Sequence, residues 1–267
     1  MTDSSHTPNA SIDSRTTQES TNESVNMGVD TGANTNTCTN AESQLFRLRV
    51  RFAQTGRCAM LSHLETARYL ERVVRRAALP YAITQGFSPH MRISFGSALP
   101  VGVGGTCEIF DVILSQRVDE DIALAKMQQA SVPDMAILSC SYIGLREPAA
   151  SVAYPLSTYR VCASAPIESV AIPDSITVTR KRRERILDPA DFLVGSLTIS
   201  GNTLEFTLES HESGSLRVDM FTNTLAQQAS WRPLQIMRIG LAARSQKCEQ
   251  VDDGFTAQPE GDNGDGR

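Results

Sequence analysis

A stretch of strict alternation near residue 46 constrains the fold of this chain more than any other feature. Its apolar positions alternate one by one with arginines, in the order Phe46, Arg47, Leu48, Arg49, Val50, Arg51 and Phe52. Successive side chains of a β-strand point to opposite faces of a sheet, so a period of two is typical of a strand with one buried face. We expect helices to cover the apolar face and the arginines to lie on the open face.

The segment after this strand has the signals of an amphipathic helix. Ser62 and Glu65 have the spacing of a capping box, and Leu79-Pro80 supplies a stop. We therefore expect a helix that ends at about Ala78. One of its faces carries a stripe of basic residues, namely Arg68, Arg72, Arg75 and Arg76.

Further patterns predict an α+β domain over residues 45–147. Strand-like runs follow the first helix at 91–95, 108–114 and 136–145, and a second helix is expected over 119–130. The order strand, helix, strand, strand, helix, strand is that of a ferredoxin-like βαββαβ unit, in which four antiparallel strands carry both helices on one face.

A second, weaker copy of this order is predicted over residues 155–245. A strand at 159–163, a hairpin over 197–208, a helix around 216–229 and a strand at 234–241 follow one another there. A basic stretch and a short helix lie between the first strand and the hairpin. We therefore expect a second ferredoxin-like half.

The two ends of the chain differ in charge from the part between them. Residues 1–44 and 249–267 each hold one arginine against six acidic residues, and we expect both to be disordered acidic tails. The part between the tails carries 23 Lys and Arg against 18 Asp and Glu, although the whole chain carries a net charge of -5. The acidic balance is therefore a property of the tails.

The sequence predicts a cytoplasmic protein without a membrane partner. It holds no run of about eighteen apolar residues that could span a bilayer, and its N-terminus lacks the pattern of a secretory signal. The six cysteines are scattered singly, without the spacing of a zinc or iron–sulfur site. We expect reduced thiols and neither a metal nor another cofactor.

Three clusters of basic residues are candidates for contact with nucleic acid, and RNA is the candidate ligand. They are Arg47, Arg49 and Arg51 on the first strand; Arg68, Arg72, Arg75 and Arg76 on the first helix; and Arg180, Lys181, Arg182, Arg183 and Arg185. Each cluster has an alternative explanation as ordinary charged surface. Glu65 and Glu71, for example, have the spacing to pair with arginines along the helix.

Residues 84–96 place turn-forming and polar side chains inside a strand-like pattern. Gly86 permits a backbone conformation closed to other residues and Pro89 fixes one dihedral, so together they stiffen a loop. The loop presents a candidate ligand or partner surface made of Gln85, Gly86, Ser88, His90 and Arg92. His90 can titrate near neutral pH, and Arg92 can hold a carboxylate or a phosphate. The alternative is a structural turn with a polar rim.

The sequence does not support intrinsic enzymatic activity. It has no Ser-His-Asp order and no HExxH, and its glycine-rich stretch at 102–105 lacks the lysine and helix of a phosphate-binding loop. Glu108 and Asp111, three residues apart in a predicted strand, point to opposite faces of the sheet and do not form an acid pair.

Residues 49–114 also carry a long set of motifs. They are Phe52, Gly56, Leu61-Ser62-His63-Leu64, Arg75-Arg76-Ala77, Gln85-Gly86-Phe87-Ser88-Pro89-His90, Leu99-Pro100-Val101-Gly102, Glu108 and Asp111. In these the chain resembles the radical S-adenosylmethionine-linked protein family, domain of unknown function 2344. The resemblance weakens after Gly144, and Cys58-Ala59-Met60 departs from it.

The resemblance implies a partner. Members of the family occur fused to a radical S-adenosylmethionine protein or encoded near one. This chain has no CxxxCxxC motif, so the iron–sulfur cluster would be held by a separate protein. The resemblance is densest at the 85–92 loop, which favours a functional surface there, and His63 is a candidate to face the same site as His90.

We therefore expect a non-catalytic accessory or substrate-presenting protein that works with a separate radical S-adenosylmethionine enzyme, with RNA as the macromolecule it handles. One alternative is an enzyme for a small anionic substrate, with His90 as acid or base and Arg92 as anchor. Another is a structural adaptor whose first helix and sheet dock a protein.

Overall fold

The computed structural model describes residues 44–180, 183–212, 214–227 and 229–244. They form a mixed α+β protein with one large mixed sheet, four α-helices and a separate two-stranded hairpin. Nearly all of the two tails predicted to be disordered, residues 1–44 and 249–267, lies outside the described residues. No helix in the described part of the chain is long and apolar enough to cross a bilayer.

The first half follows the predicted order of elements. Its strands are β1 (Phe46–Gln54), β2 (Ile93–Phe95), β3 (Val103–Leu114) and β4 (Ile137–Ile143), and its helices are α1 (His63–Arg76) and α2 (Glu120–Ala130). Turns of 3-10 helix, Gly56–Met60 and Pro133–Met135, precede α1 and β4. β1 lies between β3 and β4, β2 lies on the far side of β3, and all three pairings are antiparallel.

Helix α1 begins at the predicted capping box. The Glu65 N–H donates to the Ser62 hydroxyl, and the Ser62 N–H donates to the Glu65 carboxylate over 2.8 Å. Hydrogen bonds from Ser62 lower the pKa of Glu65 below its ordinary value. The helix ends at Arg76, close to the expected stop, because Ala78 adopts a positive φ of 50° ahead of Pro80.

The second half contains β5 (Leu156–Ala163), β6 (Ile176–Arg180), β7 (Arg183–Leu187), β8 (Leu193–Ser200), β9 (Thr203–Glu209), β10 (Pro233–Ala242) and α4 (Val218–Ala226). The short helix α3 (Ala150–Ala153) precedes β5, and a 3-10 turn, Pro189–Asp191, precedes β8. The predicted 197–208 hairpin is β8 with β9. The basic stretch, for which the sequence predicts no element, forms the separate hairpin of β6 and β7.

One edge of β3 joins the two halves into a single sheet with the order β4-β1-β3-β10-β5-β9-β8. β10 runs parallel to β3 at residues 103–105, and β2 runs antiparallel to β3 at residues 110–112. The strand therefore begins at Val103, within the glycine-rich stretch, rather than at residue 108. Glycine suits this close packing, because a Cβ on Gly104 would collide with the Met237 sulfur of β10 and would lie 3.1 Å from the Gln54 carbonyl oxygen of β1.

Each half has its own hydrophobic core. The core of the first half centres on Leu48, Val50, Leu70 and Phe110, which lie between the sheet and helices α1 and α2. The core of the second half is built around Val161, Phe206, Phe221 and Trp231. The apolar face of β1 is buried as its alternation predicts.

Candidate functional site

Residues 81–92, which we call the lobe, contain most of the predicted ligand surface. Backbone bonds close the lobe: the Thr84 N–H donates to the His90 carbonyl over 2.8 Å, and the Arg92 N–H donates to the Ala82 carbonyl over 2.9 Å. The His90 N–H also donates to the Thr84 hydroxyl over 3.0 Å. These bonds hold the lobe in a hairpin-like shape beside the C-terminal end of β3.

The tip of the lobe is fully exposed to solvent. Gly86 adopts a φ of 126°, which allows the turn, and Phe87 next to it has an exposed fraction of 113%. The Ser88 hydroxyl lies 3.2 Å from Nε2 of His90. The predicted residues Gln85, Gly86, Ser88, His90 and Arg92 are all exposed. Phe87 is not among the predicted site residues, because nothing in its local pattern marks a phenylalanine as exposed.

His63 and His90 have different neighbours in the structure. His63 is the first residue of α1, and its ring meets the Phe95 ring edge-on at 5.6 Å. It lines a cleft with Gln54, Thr66 and Glu108 whose volume is about 20 Å³, room for roughly one water molecule. The base of the lobe lies near the other end of α1, where Arg75 meets the Tyr81 ring.

An ion pair joins the two halves beside this cleft. Glu108 of β3 accepts from Nε of Arg238 on β10 over 2.8 Å and also from its Nη2, which donates to the Ser97 carbonyl as well over 2.6 Å. Arg238 has an exposed fraction of 1%. Burial disfavours its charge, but the Glu108 carboxylate outweighs this and raises the pKa of Arg238 above its ordinary value. The pairing of Glu108 with Arg238 was not predicted from the sequence, since it spans both halves.

The arginines of β1 have different surroundings from one another. Arg47 and Arg49 both donate to the carboxylate of Asp111, which lies opposite Arg49 on β3 and is 1% exposed. Both also donate to the Pro148 carbonyl. The hydrogen bond to Asp111 is the main reason that the pKa of Arg49 is raised. Of the three arginines predicted to lie on the open face of β1, only Arg51 is exposed.

The arginine stripe of α1 lies on the surface as predicted. Arg68, Arg72, Arg75 and Arg76 are all exposed. The Arg75 guanidinium lies 6.0 Å from the centre of the Tyr81 ring at the base of the lobe, and 3.5 Å from the Glu71 carboxylate. The C-terminal end of the stripe therefore adjoins the lobe.

The third basic cluster lies at the hairpin of β6 and β7. Lys181 and Arg182 lie outside the described residues, and Arg180 and Arg183 are described only as the ends of the two strands. Arg185 is exposed on β7.

Two cysteines of the described residues have a raised pKa. Burial raises the pKa of Cys58, and burial together with the carboxylate of Glu120 raises the pKa of Cys140 to about 11. Within the described ranges, no group of three or more His, Cys, Asp or Glu could hold a metal ion.

A second cleft, of about 500 Å³, lies in the second half between residues 168–174 and the end of α4. Glu168 and Asp174 line it together with Trp231, and no Lys, Arg or His is among the lining residues. Its charge therefore does not suit an anionic substrate.

The chain belongs to a bacterial family described as "uncharacterized protein conserved in bacteria (DUF2344)", which it matches over residues 47–218. The match includes β1, α1, the lobe and Asp111, and ends at the first residue of α4. A comparison with curated proteins gives no match.

Proposed function

We propose that the protein is a cytoplasmic, non-catalytic accessory protein that holds RNA for a separate radical S-adenosylmethionine enzyme. The observation that carries the proposal is a group of exposed arginines on the C-terminal part of α1 and on the lobe, with Glu71 paired to Arg75 at its border. Residues 72–107 include Arg72, Arg75, Arg76 and Arg92 and contain no Asp or Glu. All four side chains are exposed, on the C-terminal part of α1 and on the lobe.

Such a surface suits a polyanion. Phosphates that bind arginines release condensed counterions, and this supplies most of the affinity of a basic protein surface for nucleic acid. The contrast with β1 supports the assignment, since the nearly buried side chains of Arg47 and Arg49 donate to Asp111 and are not accessible to a phosphate. Arg75 and Arg76 also lie at the end of a helix, where positive charge is favourable, but Arg92 has no such structural role.

The enzyme partner is the second part of the proposal. It rests on the motifs of residues 49–114 that resemble the radical S-adenosylmethionine-linked family, and they are densest at the lobe. A partner that modifies or processes RNA would need the RNA held in place, and a rigid basic surface beside a projecting lobe suits that task.

Two triple variants test the RNA part. Arg75→Gln, Arg76→Gln and Arg92→Gln remove three charges from the proposed surface, while Arg57→Gln, Arg146→Gln and Arg232→Gln remove three exposed charges elsewhere. RNA binding is measured by fluorescence anisotropy across a salt series. The first triple should lower the slope of log affinity against log salt by about 3, and the control triple should leave it nearly unchanged. Absence of RNA binding at low salt would refute this part.

The partner part is tested by a pull-down with the tagged full chain, with and without ribonuclease. Recovery of an iron–sulfur radical enzyme in both samples supports direct contact, and recovery only without ribonuclease supports an RNA bridge. Purified chain and enzyme that behave independently at micromolar concentration, with no effect on the enzyme's activity, would refute it.

An enzyme for a small anionic substrate is the second candidate, favoured by the contact between the Ser88 hydroxyl and His90 at 3.2 Å. Arg92, in the same lobe, would anchor the anion. If His90→Ala abolishes function while reversal of the charges at 180–185 leaves it intact, this candidate replaces the first.

We also propose that each half is a ferredoxin-like unit. The first half has the strand order β4-β1-β3-β2, and the second half has the order β10-β5-β9-β8. If the strands of each half are numbered in chain order, with β6 and β7 left out, both orders read 4-1-3-2. In the second half the hairpin of β6 and β7 stands where the first half has α1. A structural search with each half alone is the test, and failure of both to match that topology would count against it.

A further inference from the structure

We infer that the RNA bound by this surface is single-stranded and that Phe87 stacks on one of its unpaired bases. The inference rests on the proposed function and specifies the substrate class. Its starting point is the fully exposed Phe87 ring. The exposed ring buries none of its apolar surface in the fold, so it adds little to stability, and its place at the tip leaves it accessible to another molecule.

Hydrogen bonds close the backbone of the lobe below this ring. The bonds between Thr84 and His90 close the loop below the tip, and Gly86 and Pro89 flank Phe87 and Ser88. A closed loop loses less backbone conformational freedom when Phe87 stacks on a base, which lowers the cost of binding.

The charges around the ring favour a nucleic acid over a protein partner. Arg92 and Arg75, which lies beside Tyr81, place positive charge at the base of the lobe, and no acidic residue lies in the sequence between Glu71 and Glu108. Aromatic side chains interleaved with arginines are the arrangement by which proteins hold single strands, with stacking on bases and contacts to phosphates.

The same ring favours a single strand over a duplex. The bases of an A-form duplex are stacked on one another, and its deep major groove excludes side chains, so a protruding ring finds no free base face there. An unpaired base offers such a face whatever its identity. We therefore expect little sequence preference.

The experiment compares an unstructured 12-nucleotide RNA with a duplex of the same length, both fluorescently labelled. Phe87→Ala should weaken single-strand binding by about 5- to 150-fold, the range expected for loss of one stacked base, and leave the salt slope unchanged. Leu234→Ala is the matched control, because Leu234 is a large exposed apolar residue of the second half, and it should have no effect.

Phe87→Trp gives an independent readout that does not depend on affinity. The only tryptophan of the chain, Trp231, is 4% exposed and should contribute a constant signal. Fluorescence of the new indole should be quenched by the single strand and not by the duplex, because stacking on a base quenches it only where a base face is free.

The outcomes separate the inference from the proposed function. Equal binding of both RNAs, unaffected by Phe87→Ala, overturns the inference and leaves RNA binding by the arginines intact. Absence of RNA binding at low salt overturns both. Loss of partner recovery with unchanged RNA binding in Phe87→Ala overturns the inference in favour of a protein-docking ring.

Discussion

Two sets of arginines in the first half lie in opposite environments although both belong to regular amphipathic patterns. Arg47 and Arg49 on β1 share the buried carboxylate of Asp111, whereas Arg76 on α1 and Arg92 on the lobe are exposed. The difference comes from the neighbouring strand, since β3 places Asp111 opposite Arg49. Whether an arginine of such a pattern is buried in an ion pair or exposed therefore depends on what lies beside it.

Removal of the carboxylate that Arg47 and Arg49 share should have the largest effect on the free energy of unfolding. Asp111→Ala leaves two nearly buried guanidinium groups without their counter-charge and should reduce the free energy of unfolding by about 3–5 kcal/mol. Chemical denaturation measures it. The matched control is Asp174→Ala at an exposed position, with a change within about 0.5 kcal/mol. A loss below about 1 kcal/mol for Asp111→Ala would contradict a structural role for the pair.

A smaller effect is expected from replacing the guanidinium by an amine. Arg49 donates through Nε and Nη2 to both oxygens of Asp111, a fork that lysine does not reproduce, so Arg49→Lys should cost about 1.5–3 kcal/mol. Arg76→Lys keeps an exposed charge and should change stability by less than about 0.5 kcal/mol. Thermal or chemical unfolding of both variants measures these changes. Equal losses of stability in the two variants would contradict the contrast between the two sets of arginines.

The smallest effect concerns the ion pair between Glu71 and Arg75, one turn apart on α1. Glu71→Gln should lower the free energy of unfolding by only about 0.3 kcal/mol, because such exposed pairs are weak. It should also strengthen RNA binding by at most about twofold, since one negative charge at ~10 Å in water repels a phosphate only slightly. Weaker RNA binding in this variant would argue that RNA does not approach the C-terminal part of α1.

Local patterns predicted much of the first half. The alternation of residues 46–52 gave β1 its buried face, and Ser62 with Glu65 gave α1 its start, because both signals depend on neighbours in sequence. The hairpin of β8 and β9 was predictable for the same reason. The hairpin of β6 and β7 was not predicted, since the run of charged residues at 180–185 interrupts the short apolar alternation that begins with Ile176 and Val178.

The candidate site was predicted less completely than the fold. Gly86 and Pro89 marked the loop of the lobe, but exposure of Phe87 depends on which chains pack around it. The pairings of Asp111 with two arginines and of Glu108 with Arg238 join residues more than sixty positions apart. Sequence periodicity within one strand does not specify the register of its neighbour, which is why neither pairing was foreseen.

The shared edge of β3 has a consequence for synthesis of the chain. β10, the last strand of the sheet, pairs with residues 103–105 and supplies the counter-charge of Glu108. While the ribosome is still translating the second half, the nascent first half has an open strand edge and an unpaired carboxylate at that place. An open strand edge can pair with other chains, so the nascent protein is exposed to aggregation at this place until β10 is synthesised.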